Sequence, residues 1–356
     1  MEVLSGVGAD NDRSPPPPGR RYLRRRTSLS LSPSDMFLFR APPPTYVSST
    51  WPGELCVMGE TVCLALERVG GASRVLLFCH GTSSDLGMSR RSMEVLRDAL
   101  DCHVVGVEYP GYGLTSDLEA NEQSLNAAVR SVFLHLTEAM AWPADRLIVM
   151  GRSLGSGPAA RIAREFHPGA LLLLAPFTGV QEIAGSIVGD TLAAMFNLNQ
   201  WNNREELSST RCPTLMLHGV KDEVVPHTHS LELYRASAAT LKYVGLLVDS
   251  DHNRINWKIA CDVYARPFLE VACPLQTERT LGVLPENVSQ LSDIDPKGNA
   301  RLILACASAA WARRRAEGGA DHEAAIRAGK RALKRAHSAA PGVAAAAAVV
   351  AAAAAA

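Results

Sequence analysis

The stretch Leu147-Ile148-Val149-Met150-Gly151-Arg152-Ser153-Leu154-Gly155-Ser156-Gly157 decides the fold of this chain. Its opening apolar run marks a strand covered on both faces, and Leu154 to Phe166 reads as the helix that follows. Between them lies Gly-x-Ser-x-Gly, the sharp turn that lifts a serine hydroxyl above the edge of a sheet. Gly151 and Gly155 leave room where strand and helix pass close together. The Leu154 N–H and the start of the helix then face any oxyanion formed at Ser153, where backbone donors and the helix dipole stabilise negative charge.

Outward from this turn, short apolar runs alternate with amphipathic ones across 47–272. Val75 to Phe78, Val104 to Val107, Leu171 to Leu174, Thr214 to Leu217 and Lys242 to Val248 read as strands. Met88 to Leu100 and Glu119 to Met140 read as helices, the second with Leu125, Val129, Val132, Phe133 and Leu136 at helical spacing. The alternation predicts an α/β domain with a mostly parallel central sheet and helices on both faces. Between Pro176 and Arg211 no strand is evident. There the apolar stretch Ile183 to Met195, with Phe177, Phe196 and Trp201, reads as a small cap insertion.

Gly-x-Ser-x-Gly alone turns up by chance in roughly one chain in seven of this size at average composition, so its partners matter more. A serine on such a turn needs an acid and then a histidine after later strands, in that chain order. Leu215-Met216-Leu217-His218-Gly219 leads into Lys221-Asp222-Glu223, and the strand ending at Val248 leads into Asp249-Ser250-Asp251-His252-Asn253. Asp222 and His252 are the expected partners of Ser153: His252 to take the hydroxyl proton, Asp222 to hold the imidazole in the right tautomer. Glu223 and Asp251 stand as alternative acids, and Asp222 also reads as a helix cap. His218 reads as a packing residue at a strand end. The constellation predicts an α/β-hydrolase fold and a serine hydrolase with catalytic Ser153, Asp222 and His252.

A second oxyanion donor is expected from the loop after the strand at Val75, where the sequence runs Cys79-His80-Gly81-Thr82. Thr82 N–H is the candidate beside Leu154 N–H, with Gly81 letting the loop fold over the site and His80 ordering it by hydrogen bonding. Glu108-Tyr109-Pro110-Gly111-Tyr112-Gly113 reads as a tight turn whose tyrosines line or support the pocket.

The rest of the chain adds bounds. The composition, 47% hydrophobic and 20% charged, suits a soluble globular domain, and Lys+Arg and Asp+Glu both number 36. That balance gives no argument for nucleic acid, and none is expected as a partner. The eight cysteines are scattered without a CxxC pair, which excludes zinc-ribbon and thioredoxin-like readings; they read as buried thiols in a reducing, cytoplasmic setting. No metal or organic cofactor is expected. Residues 1–46 read as a disordered leader, with Pro15 to Pro18, an Arg cluster from Arg20 to Arg26 and a Ser-rich patch. Peripheral membrane contact through those arginines and Met36-Phe37-Leu38-Phe39 is the functional reading of the leader. Residues 273–340 read as a basic helical appendage and 341–356 as an Ala-rich low-complexity tail. No apolar stretch reaches the roughly 20 residues that span a bilayer.

The motifs occur together in an order that resembles a known family. Phe78-Cys79-His80-Gly81-Thr82 with Asp85-Leu86-Gly87, then Tyr109-Pro110-Gly111-Tyr112-Gly113, Gly151-Arg152-Ser153-Leu154-Gly155-Ser156-Gly157-Pro158 and His218-Gly219-x-x-Asp222-Glu223-Val224-Val225 are similar to the α/β-hydrolase domain-containing protein 17 family of the Bem46-like group. Pro42-Pro43-Pro44-Thr45-Tyr46 resembles the segment that precedes that family's core. The resemblance covers about 36 to 270 and puts Ser153, Asp222 and His252 on the family's triad positions. It implies a protein S-palmitoyl thioesterase acting on an S-acylated protein, with a lipid or small-ester carboxylesterase and a non-catalytic scaffold as the alternatives. Two departures stand out. The first cysteine is Cys56, so the resemblance does not extend to the palmitoylated N-terminal cysteines of the animal members, and Arg152 stands where the family has Gln.

Overall fold

The computed structural model describes residues 38–51, 53–183, 201–277 and 281. The apolar runs form a mixed eight-stranded sheet in the order β1-β2-β4-β3-β5-β6-β7-β8. Its strands are β1 (Leu55–Met58), β2 (Thr61–Leu66), β3 (Val75–Cys79), β4 (His103–Val107), β5 (Leu147–Arg152), β6 (Ala170–Leu174), β7 (Thr214–Gly219) and β8 (Lys242–Leu247). β1 pairs antiparallel with β2, and β2 antiparallel with β4; every later pairing is parallel. β3, β4, β6 and β7 are buried at every residue, which explains why they run apolar without alternation. The strand order reverses at β3, so the loops after β3 and β5 leave neighbouring strand ends, the place where ligands bind in open α/β sheets.

Among the described residues the α-helices longer than one turn are α1 (Leu86–Leu100), α2 (Glu122–Leu134), α3 (Ser156–Phe166), α4 (Asn203–Ser209), α5 (Thr228–Ala236) and α6 (Arg266–Ala272). Their packing falls into two groups: α2, α3, α4 and α5 contact one another in succession, while α1 contacts the turn at Ala260–Ala265 that leads into α6. Local chemistry sets their starts. Asn121 and Ser124 form a reciprocal capping box at α2. Asp85 caps α1 by accepting from Met88 N–H at 2.9 Å. The helix expected over Glu119 to Met140 changes pitch at His135–Ala139, where a π turn takes over, and ends at Ala141 with φ +53°. α3 has no side-chain cap; its N-terminal N–H groups follow directly on the Ser153 turn.

Two expected boundaries move. Residues 38–46 are not leader: Leu38, Phe39 and Tyr46 are buried in the core. Phe39 meets Trp201 edge-on at 5.9 Å, Tyr46 stacks on Trp51 at 5.1 Å, and Thr45 donates to Asp85 through both its N–H (2.8 Å) and its hydroxyl (2.6 Å). An apolar pair inside a polar, Pro-rich segment gave too little periodicity to show this. Leu38 and Phe39 are therefore spent on packing and are not free for a membrane. At the other end the domain runs past 272. Arg146 donates to the Pro274 carbonyl at 2.7 Å, Gln276 N–H to Ser73 at 3.0 Å and Leu281 N–H to Glu67 at 2.8 Å. The Arg cluster of the leader, much of the cap at 184–200, the basic appendage from 282 to 340 and the Ala-rich tail lie outside the described residues. Among the described residues no helix is long and apolar enough to cross a membrane.

Asp85 is buried and answers three donors, so it joins the upstream segment to α1. Replacing it strands those donors as well as removing a cap. Asp85→Ala is expected to lower stability by about 2 kcal/mol or more in chemical denaturation. It should also expose the chain around Thr45 to limited proteolysis before the rest of the domain.

Candidate active site

Ser153 leaves β5 with φ +50°, a left-handed conformation that costs a non-glycine residue energy. The close packing around it explains the motif's glycines. A Cβ on Gly151 would strike the Gly155 carbonyl, and one on Gly155 would strike the carbonyl oxygens of Cys79 and His80. A Cβ on Gly157 would enter the indole of Trp201, itself fixed by Nε1–H donation to Asn126 at 2.9 Å. Strand, turn and helix meet backbone to backbone, and the serine stands at the C-terminal end of the sheet.

The loops after β7 and β8 bring the two expected partners to it. His252 Nε2 lies 3.1 Å from Ser153 Oγ, and His252 Nδ1 lies 2.7 Å from Asp222 Oδ2. A carboxylate accepts, so the proton sits on Nδ1 and the Nε2 lone pair faces the serine hydroxyl. The alternative acids are placed elsewhere. Glu223 is exposed, and Asp251 accepts from the N–H groups of Asn253 and Arg254, both at 2.8 Å, shaping the turn that carries His252.

Asp222 is saturated with donors. Its Oδ1 accepts from Val224 N–H (2.9 Å) and Val225 N–H (2.8 Å), which ties down its own loop and not a helix, since α5 begins only at Thr228. His218 Nε2, 3.3 Å from Oδ2, also lies 2.8 Å from the Val225 carbonyl and therefore carries a proton; its Nδ1 then accepts from Ser230 at 2.7 Å. Burial alone would raise the Asp222 carboxyl, but hydrogen bonds from His218, His252 and Val225 N–H outweigh it and hold the group well below the usual carboxylate range. His218 is thus more than a packing residue: it braces the acid.

Arg152, beside the serine, turns to the histidine loop. Its Nη2 donates to the His252 carbonyl at 2.9 Å and to Asn253 Oδ1 at 3.2 Å, and burial pushes its pKa down. This side chain, where the similar family has Gln, is engaged in holding the backbone of His252.

The loop after β3 closes the other side. A Cβ on Gly81 would sit 3.6 Å from that of Ser153, an ordinary contact, so the Gly81–Thr82 peptide lies close to Ser153. His80 orders this loop, with Nδ1 2.9 Å from the Gly81 carbonyl and Nε2 3.1 Å from Glu108 Oε1. Tyr109 and Tyr112 are fully buried, and Tyr109 donates to the His80 carbonyl at 3.0 Å. They support the loop. Leu154, the other expected donor, is buried in a 3-10 turn at Ser153–Gly155. Three contributors escaped the sequence reading: Glu108 and Tyr46 behind His80, and His218 behind Asp222. The apolar strand before Glu108 signalled only a strand end, and a lone Tyr or His carries no periodic signal.

No protein-family model matches the chain. It is 25% identical over 212 residues to the α/β hydrolase domain-containing protein aho-3 of Caenorhabditis elegans, covering 60% of this chain and 62% of that protein. It is 27% identical over 172 residues to α/β hydrolase domain-containing protein 17B of Homo sapiens, covering 48% and 58%. The aligned part of the chain thus spans about three fifths of these curated relatives. The resemblance to the α/β-hydrolase domain-containing protein 17 family read from the motifs is borne out by these relatives. Among solved structures, an α/β hydrolase from Vibrio vulnificus matches with a TM-score of 0.51 at 17% identity, over 65% of this chain and 91% of that one. The chain has the α/β-hydrolase fold.

The depressed Asp222 carboxyl has a consequence for stability. The unfolded chain takes up a proton near the ordinary value of 3.8, while the folded one resists it. The stabilisation is therefore complete above that value and is lost as the pH falls towards the lower, folded one. Asp222→Asn removes the titration, so its stability should fall less steeply than the wild type's between pH 5 and pH 2 in denaturant titrations. Equal slopes would show that the carboxylate contributes nothing.

Proposed function

We propose that this chain, an α/β-hydrolase-fold protein similar to the α/β-hydrolase domain-containing protein 17 family, is a serine hydrolase that cleaves an acyl thioester or ester through an acyl-enzyme. The observation that carries the reading is the hydrogen-bonded chain Ser153–His252–Asp222 (3.1 and 2.7 Å) on a strained turn at the end of a parallel sheet. In the reaction Ser153 Oγ attacks the acyl carbon while its proton passes to His252 Nε2. The imidazolium is stabilised by Asp222, which is held ionised by its own donors. Negative charge collects on the former carbonyl oxygen, facing Thr82 N–H and Leu154 N–H. Collapse breaks the bond to the thiol or alcohol, which leaves with the His252 proton. Water then repeats the sequence on the acyl-Ser153 ester, with His252 as its base, and releases the carboxylic acid.

For the substrate we propose an S-palmitoylated protein. The motif resemblance supports this, as do three exposed apolar residues on the loops that carry Asp222 and His252. Val220, Val224 and Val248 are 39%, 47% and 64% exposed, apolar surface of the kind that meets an acyl chain or a lipid. We place the activity in the cytoplasm, with contact to membrane through the substrate's lipid.

A fluorophosphonate probe should label the wild type and spare Ser153→Ala. Turnover of an acyl ester should drop by about 10⁴ to 10⁶ in that variant, the scale of losing a triad serine. Equal turnover in both proteins would remove Ser153 as nucleophile. An unlabelled wild type would favour a scaffold. Palmitate released faster from an acylated protein than from a monoacylglycerol would support the thioesterase; the reverse would support a lipid esterase.

A further inference from the structure

The geometry points to Tyr46 as a positioning residue that, through Glu108 and His80, sets the direction of the Thr82 N–H. This rests on the serine-hydrolase reading above.

The relay can be followed atom by atom. The Gly81 carbonyl can only accept, so His80 Nδ1, 2.9 Å away, carries a proton and holds it. That carbonyl and the Thr82 N–H belong to one planar trans peptide and point in opposite directions. Fixing the carbonyl towards His80 therefore turns the Thr82 N–H the other way, and a tilt of the peptide would move that donor relative to Ser153. His80 is in turn held by Glu108, whose Oε1 lies 3.1 Å from Nε2; with Nδ1 already donating, this contact carries a second proton shared between ring and carboxyl. The two side chains are 1% and 0% exposed.

A carboxylate this deeply buried keeps its place only if donors meet its remaining lone pairs. The Tyr46 hydroxyl donates to Glu108 Oε2 at 2.5 Å and Leu86 N–H to the same oxygen at 3.2 Å. Burial and the neighbouring Glu108 push the Tyr46 phenol far above its usual range, so it acts only as a protonated donor. Gly113 shows how tightly the pair is enclosed, because a Cβ there would run into the Glu108 carboxyl and the Tyr46 oxygen. The same upstream segment grips the loop a second time. Thr82 Oγ1 donates to the Leu38 carbonyl and accepts from Arg40 N–H at 3.1 Å. Residues 38–46 thus hold the Gly81–Thr82 peptide from both sides.

The test is Tyr46→Phe, which keeps the ring against Trp51 and deletes the hydroxyl. The expected result is a fall of about 10-fold in kcat on an acyl ester, with KM within about twofold. This is less than the 10²- to 10³-fold cost of removing an oxyanion donor outright. The ratio of rates on an oxo ester and its thiono counterpart should also fall, because sulfur is a weak acceptor and draws little on the N–H donors. A role confined to stability would leave that ratio at the wild-type value. Fluorophosphonate labelling of Ser153 in the variant checks that the turn is intact. If Tyr46→Phe does not fold, His80→Gln tests the other end of the same relay, with the same fall in the ratio expected. A folded, labelled variant with wild-type kcat and ratio overturns this inference alone. A wild type that neither labels nor turns over ester overturns the underlying reading and this inference with it.

Discussion

The structure depends on one close approach: the carbonyl oxygens of Cys79 and His80 lie directly against the Cα of Gly155. With no room for a β-carbon there, β3, β5 and the start of α3 come together backbone to backbone. That contact leaves Ser153 in a left-handed conformation and puts the Gly81–Thr82 peptide beside it. The strain at Ser153 is small beside the burial of the sheet. Strands β3 and β5 are paired over five residues, Val75 to Cys79 with Leu147 to Gly151, all buried. A conformation that costs of order 1–3 kcal/mol persists because so many apolar residues would have to move to relieve it.

Around this contact sit two buried carboxylates in comparable arrangements. Asp222 has His252, His218 and two backbone N–H groups; Glu108 has His80, Tyr46 and one. Each is a charge that would be costly in the core without its donors, and each transmits order outward from a rigid strand end to a loop. Asp222 orients the imidazole that meets Ser153 Oγ. Glu108 orients the imidazole that holds the loop across from it. The site is flanked by two acid–histidine pairs, of which one touches the serine and the other fixes backbone.

Much of the fold was legible because buried parallel strands leave continuous apolar runs, and β3 to β8 fall close to where those runs predict. The first two strands were less so. Cys56, Val57 and Met58, then Val62, Cys63 and Leu64, are short and adjoin a polar leader; β1 pairs with β2, and the antiparallel pairing of β2 onto β4 is a long-range fact with no local mark. Ser153, Asp222 and His252 were found because chain order and strand ends restrict the candidates to a few loop residues. Choosing Asp222 over Glu223 or Asp251 took the coordinates, since three neighbouring acids differ only in where the turn points them. The leader's boundary was misplaced because Phe39 and Tyr46 stand in a polar, Pro-rich segment and their partners Trp201 and Glu108 lie far along the chain.

By itself, then, the sequence determined the layering of the sheet and the serine and histidine of the candidate site, and narrowed the acid to three residues, because hydrophobic period and turn chemistry are written locally. Tertiary structure alone decided what stands behind them. Arg152 holding the His252 carbonyl across 100 positions and Tyr46 reaching Glu108 across 62 are hydrogen bonds between distant residues, while His218 bracing Asp222, four positions on, depends on how the strand end turns. A single long-range donor leaves no period and no motif, and only a folded chain brings it to its acceptor.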